Sequence, residues 1–161
     1  MGIVEVDETY IGGDDNNRHF GKKKGKVWKD SKFAVVGAVE RKGKVVARVL
    51  DSVNTLTLET FINETCSTDV SLIATDKHRG YQDLKRIGYK HGTVDHSRKQ
   101  YVVGAIHTNT IEGFWSLVKR GVIGTYHKVS KKYLPLYIAE FQFRYNNRLN
   151  DDIFGEALRG C

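Results

Sequence analysis

The chain has 161 residues, 40% hydrophobic and 28% charged, with a net charge of +7 and a pI near 9.4. That length can bury a core without staples, and the two cysteines, Cys66 and Cys161, form no CxxC pair, which excludes a zinc ribbon or a disulfide framework and leaves two idle thiols. No apolar run approaches the roughly 20 residues of a membrane span, no signal peptide is visible, and the basic balance points to an anionic partner, nucleic acid first.

Residues 3–11 read as a strand that begins almost at the first residue, as in a fragment or a trimmed chain. Residues 12–32 are rich in Gly, Asn and Lys, with Lys22, Lys23, Lys24 and Lys26 close together, and read as a flexible basic loop. Two strands follow at 33–40 and 44–50, joined by a turn over Arg41, Lys42 and Gly43. Asn54 or Thr55 caps a helix with Leu58, Phe61, Ile62 and Thr65 at helical spacing. Residues 71–75 form a short buried strand. Residues 80–87 read as a short helix with Tyr81, Leu84 and Ile87 on one side, and 89–95 as a further strand. A helix over 109–120 carries the stripe Ile111, Trp115, Val118 and Val122. A last one runs from 134 to 148, with Pro135 in its first turn and Leu134, Ile138, Phe141 and Tyr145 as its seam.

The order β-β-β-α-β-α-β-α-α implies an α/β protein, a mixed five-stranded sheet flanked by helices. It is the order of the ribonuclease-H-like fold, in which the first and fourth strands are neighbours. No repeat, low-complexity tract or linker divides the chain, so residues 1–161 are expected to form one domain.

Three carboxylates stand out in this frame. Asp7 lies inside the first strand and Asp76 closes the fourth, where a charge is costly unless it is paired or holds a cation. Glu112 opens the helix at 109. Asp7 and Asp76 would be neighbours, with Glu112 brought over them. Such a set can hold two Mg²⁺ ions, which take oxygen ligands and keep several waters. Two ions about 4 Å apart serve both oxygens of an in-line phosphoryl displacement. Lys119 lies two turns after Glu112 on the same face, with Ser116 between them, where a cation can grip a phosphate. Trp115 points to the core. Two readings stand for Glu112: a site acid, or the far end of a capping box begun by Asn109. Asp76 has the alternative of capping the turn before Gly80. Asp7, mid-strand, has no turn to stabilise. Glu5 shares its face and reads as a solvated sheet-edge charge, with accessory ligation as the alternative.

At these residues the chain closely resembles the catalytic domain of the ISXO2-like transposases of the IS1595 group of bacterial insertion sequences. The resemblance is carried by Val4-Glu5-Val6-Asp7-Glu8-Thr9-Tyr10-Ile11-Gly12-Gly13, by Thr75-Asp76 with Tyr81 following, and by the stretch from His107 through Arg120. The tail Phe141-Gln142-Phe143-Arg144-Tyr145-Asn146-Asn147-Arg148 matches too. It implies a DDE-type transposase with Asp7, Asp76 and Glu112 as the three catalytic and metal-binding acids. The 35 residues between Asp76 and Glu112 are a typical spacing for such enzymes. The third acidic position varies in this group, which makes Asn109 and His107 secondary candidates. His96 is a family-like position without an assigned role. Lys119, with Arg120, falls where many of these enzymes contact transposon-end DNA. Full-length members place a zinc ribbon or helix-turn-helix before this domain, and the 161 residues carry neither.

The implied reaction has two phases, both with Mg²⁺ or Mn²⁺. Water cleaves the phosphodiester at the transposon end, and the freed 3′-OH attacks target DNA. Lys119 and Arg120 would hold backbone phosphates, which set register without reading sequence. The basic loop and Lys131-Lys132 would add salt-sensitive contacts or remain solvated surface. The implied partners are transposon ends and target DNA, bridged by a homodimer, in the bacterial cytoplasm at the nucleoid, with no membrane. Two alternatives stay open: a ribonuclease-H-like nuclease that stops at hydrolysis, and an inactive DNA-binding remnant.

Overall fold

Strand β1 (Ile3–Gly12) sends Val4 and Val6 to one face and Glu5, Asp7 and Ile11 to the other, and it lies at the centre of the sheet. The structure, a computed structural model, describes residues 2–12, 32–94, 106–126 and 129–160. β2 (Lys32–Glu40) pairs antiparallel with β1, and β3 (Val45–Leu50) with β2. β4 (Leu72–Asp76) and β5 (His91–Val94) add in parallel, giving the order β3-β2-β1-β4-β5. This is the mixed sheet expected, with the first and fourth strands adjacent. The expected loop leaves only its end residues in view: Gly12 and Lys32 pair with each other, and residues 13–31 lie outside those described.

Each face buries its own core. Helix α1 (Thr55–Thr65) packs Leu58, Phe61 and Ile62 on Val4, Val6, Val36, Ala38 and Ile73. Asn54 caps it as expected: its side chain accepts from Thr57 N, and Thr57 Oγ1 accepts from Asn54 N. On the other face, α2 (Asn109–Gly121) buries Ile111, Phe114, Trp115 and Val118, and α3 (Leu134–Asn146) buries Leu134 and Ile138. Val122 to Tyr126 continue α2 as a π-helical segment. Among the described residues no helix is long and apolar enough to cross a membrane.

Four expectations need correction. Residues 80–87 are not an α-helix but a 3-10 turn at Arg79–Tyr81 followed by further turns. Tyr81 and Leu84 are the only side chains larger than glycine buried there, and Gly88 ends the segment at φ +102°, so too few anchors support a full helix. The last helix stops at Asn146 rather than 148, and a short α4 (Ile153–Arg159) follows, capped by Asp152 on Gly155 N. Asn109 does not cap α2: the N-cap residue is Thr108, and its side chain caps no amide. Glu5 is no edge charge, because β1 is central and the residue is fully buried.

The tail segment closes the sheet. Gln142 Oε1 accepts from Ala47 N at 2.8 Å, and Asn146 accepts from Val45 N at 2.7 Å and donates to Val45 O at 2.9 Å. Four residues apart on α3, these amides meet alternate residues of edge strand β3 and satisfy backbone groups an edge leaves open. Asn146→Ala should therefore cost about 1–2 kcal/mol in urea denaturation, with Gln142→Ala costing less because it meets one group instead of two. Wild-type stability in both variants would contradict this account of the edge.

Candidate active site

Asp7 and Asp76 meet because of strand register. Val6 pairs with Thr75, so the next residue on each parallel strand is an aspartate. β4 ends at Asp76, where the carboxylate accepts from His78 N at 2.9 Å and shapes the turn that follows. Beyond that point no strand stands between β1 and the turn. Glu8, one residue past Asp7, therefore reaches the same place from the other face. Among the described residues, Asp7, Glu8 and Asp76 form the one group of three possible ligands, with atoms all within 4.8 Å of one another.

Each acid is held. Asp7 Oδ2 accepts from Trp115 Nε1 at 3.1 Å. Trp115 is core, as expected, but its N–H also reaches the site. Gly37 faces Asp7 across the β1–β2 pair, and a Cβ there would lie 2.8 Å from the Trp115 ring, so glycine makes room for the indole. Glu8 Oε2 accepts from the Tyr81 hydroxyl at 2.6 Å, and His78 Nδ1 lies 3.7 Å from Glu8 Oε1. Burial and the Glu8 carboxylate hold the Tyr81 phenol protonated, so it donates.

Burial first, then the charges of Glu8, Asp76 and Glu112, push the Asp7 carboxyl up to about 7. Burial pushes Glu8 up as well, with the Tyr81 hydrogen bond opposing. Two acids crowded and desolvated in this way favour either a proton or a cation. An all-oxygen donor set suits a hard divalent ion. Ligands on opposite sides of a Mg²⁺ ion stand about 4.2 Å apart, so a group whose atoms lie within 4.8 Å needs only a small inward movement to hold one.

Glu112 lies outside that tight group. It sits in the first turn of α2, exposed, with Oε1 accepting from Thr108 Oγ1 at 2.7 Å, and its charge acts on Asp7. Ser116, Lys119 and Arg120 are also exposed on α2. Asn109 is exposed at the helix start. His107 instead turns its Nδ1 to Glu5, 3.2 Å from Oε1. His96 lies outside the described residues. Lys131 pairs with Asp51 at 2.8 Å, and Lys132 lies 5.2 Å from the Tyr133 ring centre. Sequence reasoning missed Glu8, since strand alternation puts it on the face opposite Asp7; the adjoining strand's end was the available signal.

The sheet order, two packed faces and acids at the β1–β4 junction define a ribonuclease-H-like catalytic core. The HTLV-2 integrase catalytic core domain, in its dimeric form with magnesium, is similar in fold. The TM-score is 0.50 and the identity 14%, over 92% of this chain and 88% of that one. A simian T-cell lymphotropic virus intasome gives a TM-score of 0.52 and 12% identity, over 89% of this chain and 47% of that one. No curated protein sequence matches. The model of the ISXO2-like transposase domain matches residues 1–146, and the chain belongs to that family. It is a transposase catalytic domain of the DDE type, and thus a polynucleotidyl transferase.

The raised Asp7 sets a pH dependence. Folded Asp7 binds a proton up to about pH 7, whereas its ordinary value is 3.8. Between those values the folded state holds the extra proton, so the cation-free chain loses stability as pH rises through that window. In urea denaturation without divalent ions, Asp7→Asn should be more stable than wild type at pH 8 by about 2 kcal/mol. This is about half of what the full rise from 3.8 to about 7 would give, reduced for partial exposure. The gap should close by pH 4. Parallel pH curves for the two proteins would contradict the assignment.

Proposed function

We propose that this domain, acting as one unit over residues 1–161, cleaves DNA at the ends of an insertion sequence and joins the freed 3′-OH to target DNA. The observation that carries the reading is the convergence of Asp7, Glu8 and Asp76 within 4.8 Å, beside a helix that brings a further acid, Glu112. Asp7, Asp76 and Glu8 would hold two Mg²⁺ ions, or Mn²⁺ in their place, with Glu112, brought in by α2, completing the set. Divalent ions bound there supply the charge that activates an attacking oxygen and stabilises a leaving one.

The chain's own residues do the remaining work. Trp115 fixes one oxygen of Asp7, and the other would be the ligand. Tyr81 holds Glu8 in the same way. Lys119 and Arg120 end α2 on the exposed side and hold DNA phosphates near the scissile bond. The DNA is the element's ends and its target, and a homodimer is the assembly that would bridge them. Basic residues outside the described segments add sequence-neutral contacts.

A cleavage and strand-transfer assay on end-sequence DNA with Mg²⁺ or Mn²⁺ tests this. Asp7→Asn and Asp76→Asn should each lower both steps by about 10³-fold or more, and Glu112→Gln by at least about 10²-fold. Lys119→Ala should weaken DNA binding alike on all sequences and lower its salt dependence by about one phosphate contact. Full activity in all three acid variants would sink the site. Hydrolysis without joining would assign the domain as a nuclease.

A further inference from the structure

We propose that Glu5 is a positioning residue for this site: it holds α2 in the one register along β1 that keeps Glu112 within electrostatic reach of Asp7. The inference rests on the reading of Glu112 as a site acid.

Glu5 is a fully buried carboxylate, and both its oxygens are occupied. Oε2 accepts from Thr110 N at 2.7 Å and Ile111 N at 3.1 Å. Oε1 accepts from Arg41 Nε at 2.7 Å and Thr110 Oγ1 at 2.9 Å, with His107 Nδ1 3.2 Å away. A negative charge at a helix N-terminus meets free amides and the positive end of the helix dipole. A long-range strand carboxylate thus does the work that Thr108 and Asn109 do not. Arg41 also donates to His107 O at 3.1 Å, so the β2–β3 turn, β1 and the approach to α2 are fastened at one point.

The spacing turns this cap into a register device. Glu5 and Asp7 are two residues apart on one face of β1, about 6.7 Å. Thr110 and Trp115 are five residues apart on α2, about 7.5 Å along its axis. Glu5 grips the first and Asp7 accepts from the second, so the helix is tied to the strand at two points of matching separation. Sliding α2 by one residue would shift it about 1.5 Å and turn it about 100°, breaking both ties and carrying Glu112 away from Asp7. Gly37 admits the indole at the second tie. Glu112 lies between the ties, so its place depends on both.

A mere stabilising cap and a positioning residue differ in what they do to the site. The test is Mn²⁺ affinity by electron paramagnetic resonance, on folded protein, for wild type, Glu5→Gln, Glu112→Gln and the double variant. Glu5→Gln keeps the shape and loses the charge. It should weaken Mn²⁺ binding about 10-fold, the loss typical of an outer residue that orients a ligand. In the Glu112→Gln background it should cost nothing further, because the group it positions is gone. Wild-type affinity in folded Glu5→Gln, or losses that add in the double variant, would overturn the proposal. Wild-type affinity in Glu112→Gln would overturn the reading of Glu112 itself, and this proposal with it. If Glu5→Gln does not fold, Thr110→Val removes one donor to Glu5, keeps the charge, and should show a smaller loss with the same dependence on Glu112.

Discussion

The parallel pairing of β1 with β4 is the constraint on which the rest depends. Once Val6 stands beside Thr75, the next step on each strand sets two aspartates side by side in half-buried surroundings. Among the described residues neither pairs with a lysine or arginine in the way Glu5 does. Burial, and then repulsion from Glu8 and Asp76, raise Asp7 to about 7. Acids crowded and desolvated in this way have their strongest electrostatic preference for an added cation.

The same strand serves two layers. Toward α2, Glu5 is satisfied by five donors or near neighbours, while Asp7 receives the Trp115 indole N–H and a backbone bond at Glu8. Two carboxylates on one face thus differ: Glu5 is fully buried and bonded to α2 and Arg41, whereas Asp7 faces the other acids at the end of β4. Toward the α1 side, Glu8 is anchored by Tyr81, itself buried in the core against α1. The acids therefore rest on groups fixed by core packing on both faces, and rigid support of this kind keeps a catalytic constellation within tolerance.

Most of the architecture was legible from the sequence because its strands are apolar, its turns carry Gly or Asn, and α1, α2 and α3 have clear stripes. Asp7 and Asp76 were legible as charges in apolar strands. Local rules failed where a distant group took over. Asn109 and Glu112 have capping-box spacing, yet Glu5, more than a hundred residues away, supplies the cap; no local pattern reports a contact of that span. Glu5 itself looked solvated because alternation reveals a face but not whether a helix covers it. Glu8 was hidden by the same alternation, since its approach to Asp76 depends on where β4 stops. The segment after Gly80 has helical spacing over too few residues to outweigh its two glycines, and α4 has no buried residue to mark it.

The most direct measurement replaces Mg²⁺ with Fe²⁺ and generates hydroxyl radicals with ascorbate and peroxide, then maps where the backbone is cut. A cation held by these acids should concentrate cuts around Asp7–Glu8, at the Asp76–His78 turn and in the first turn of α2 near Glu112. Asp7→Asn should abolish all three together. Cuts that fall elsewhere, or that persist unchanged in Asp7→Asn, would contradict a shared metal site at the β1–β4 junction.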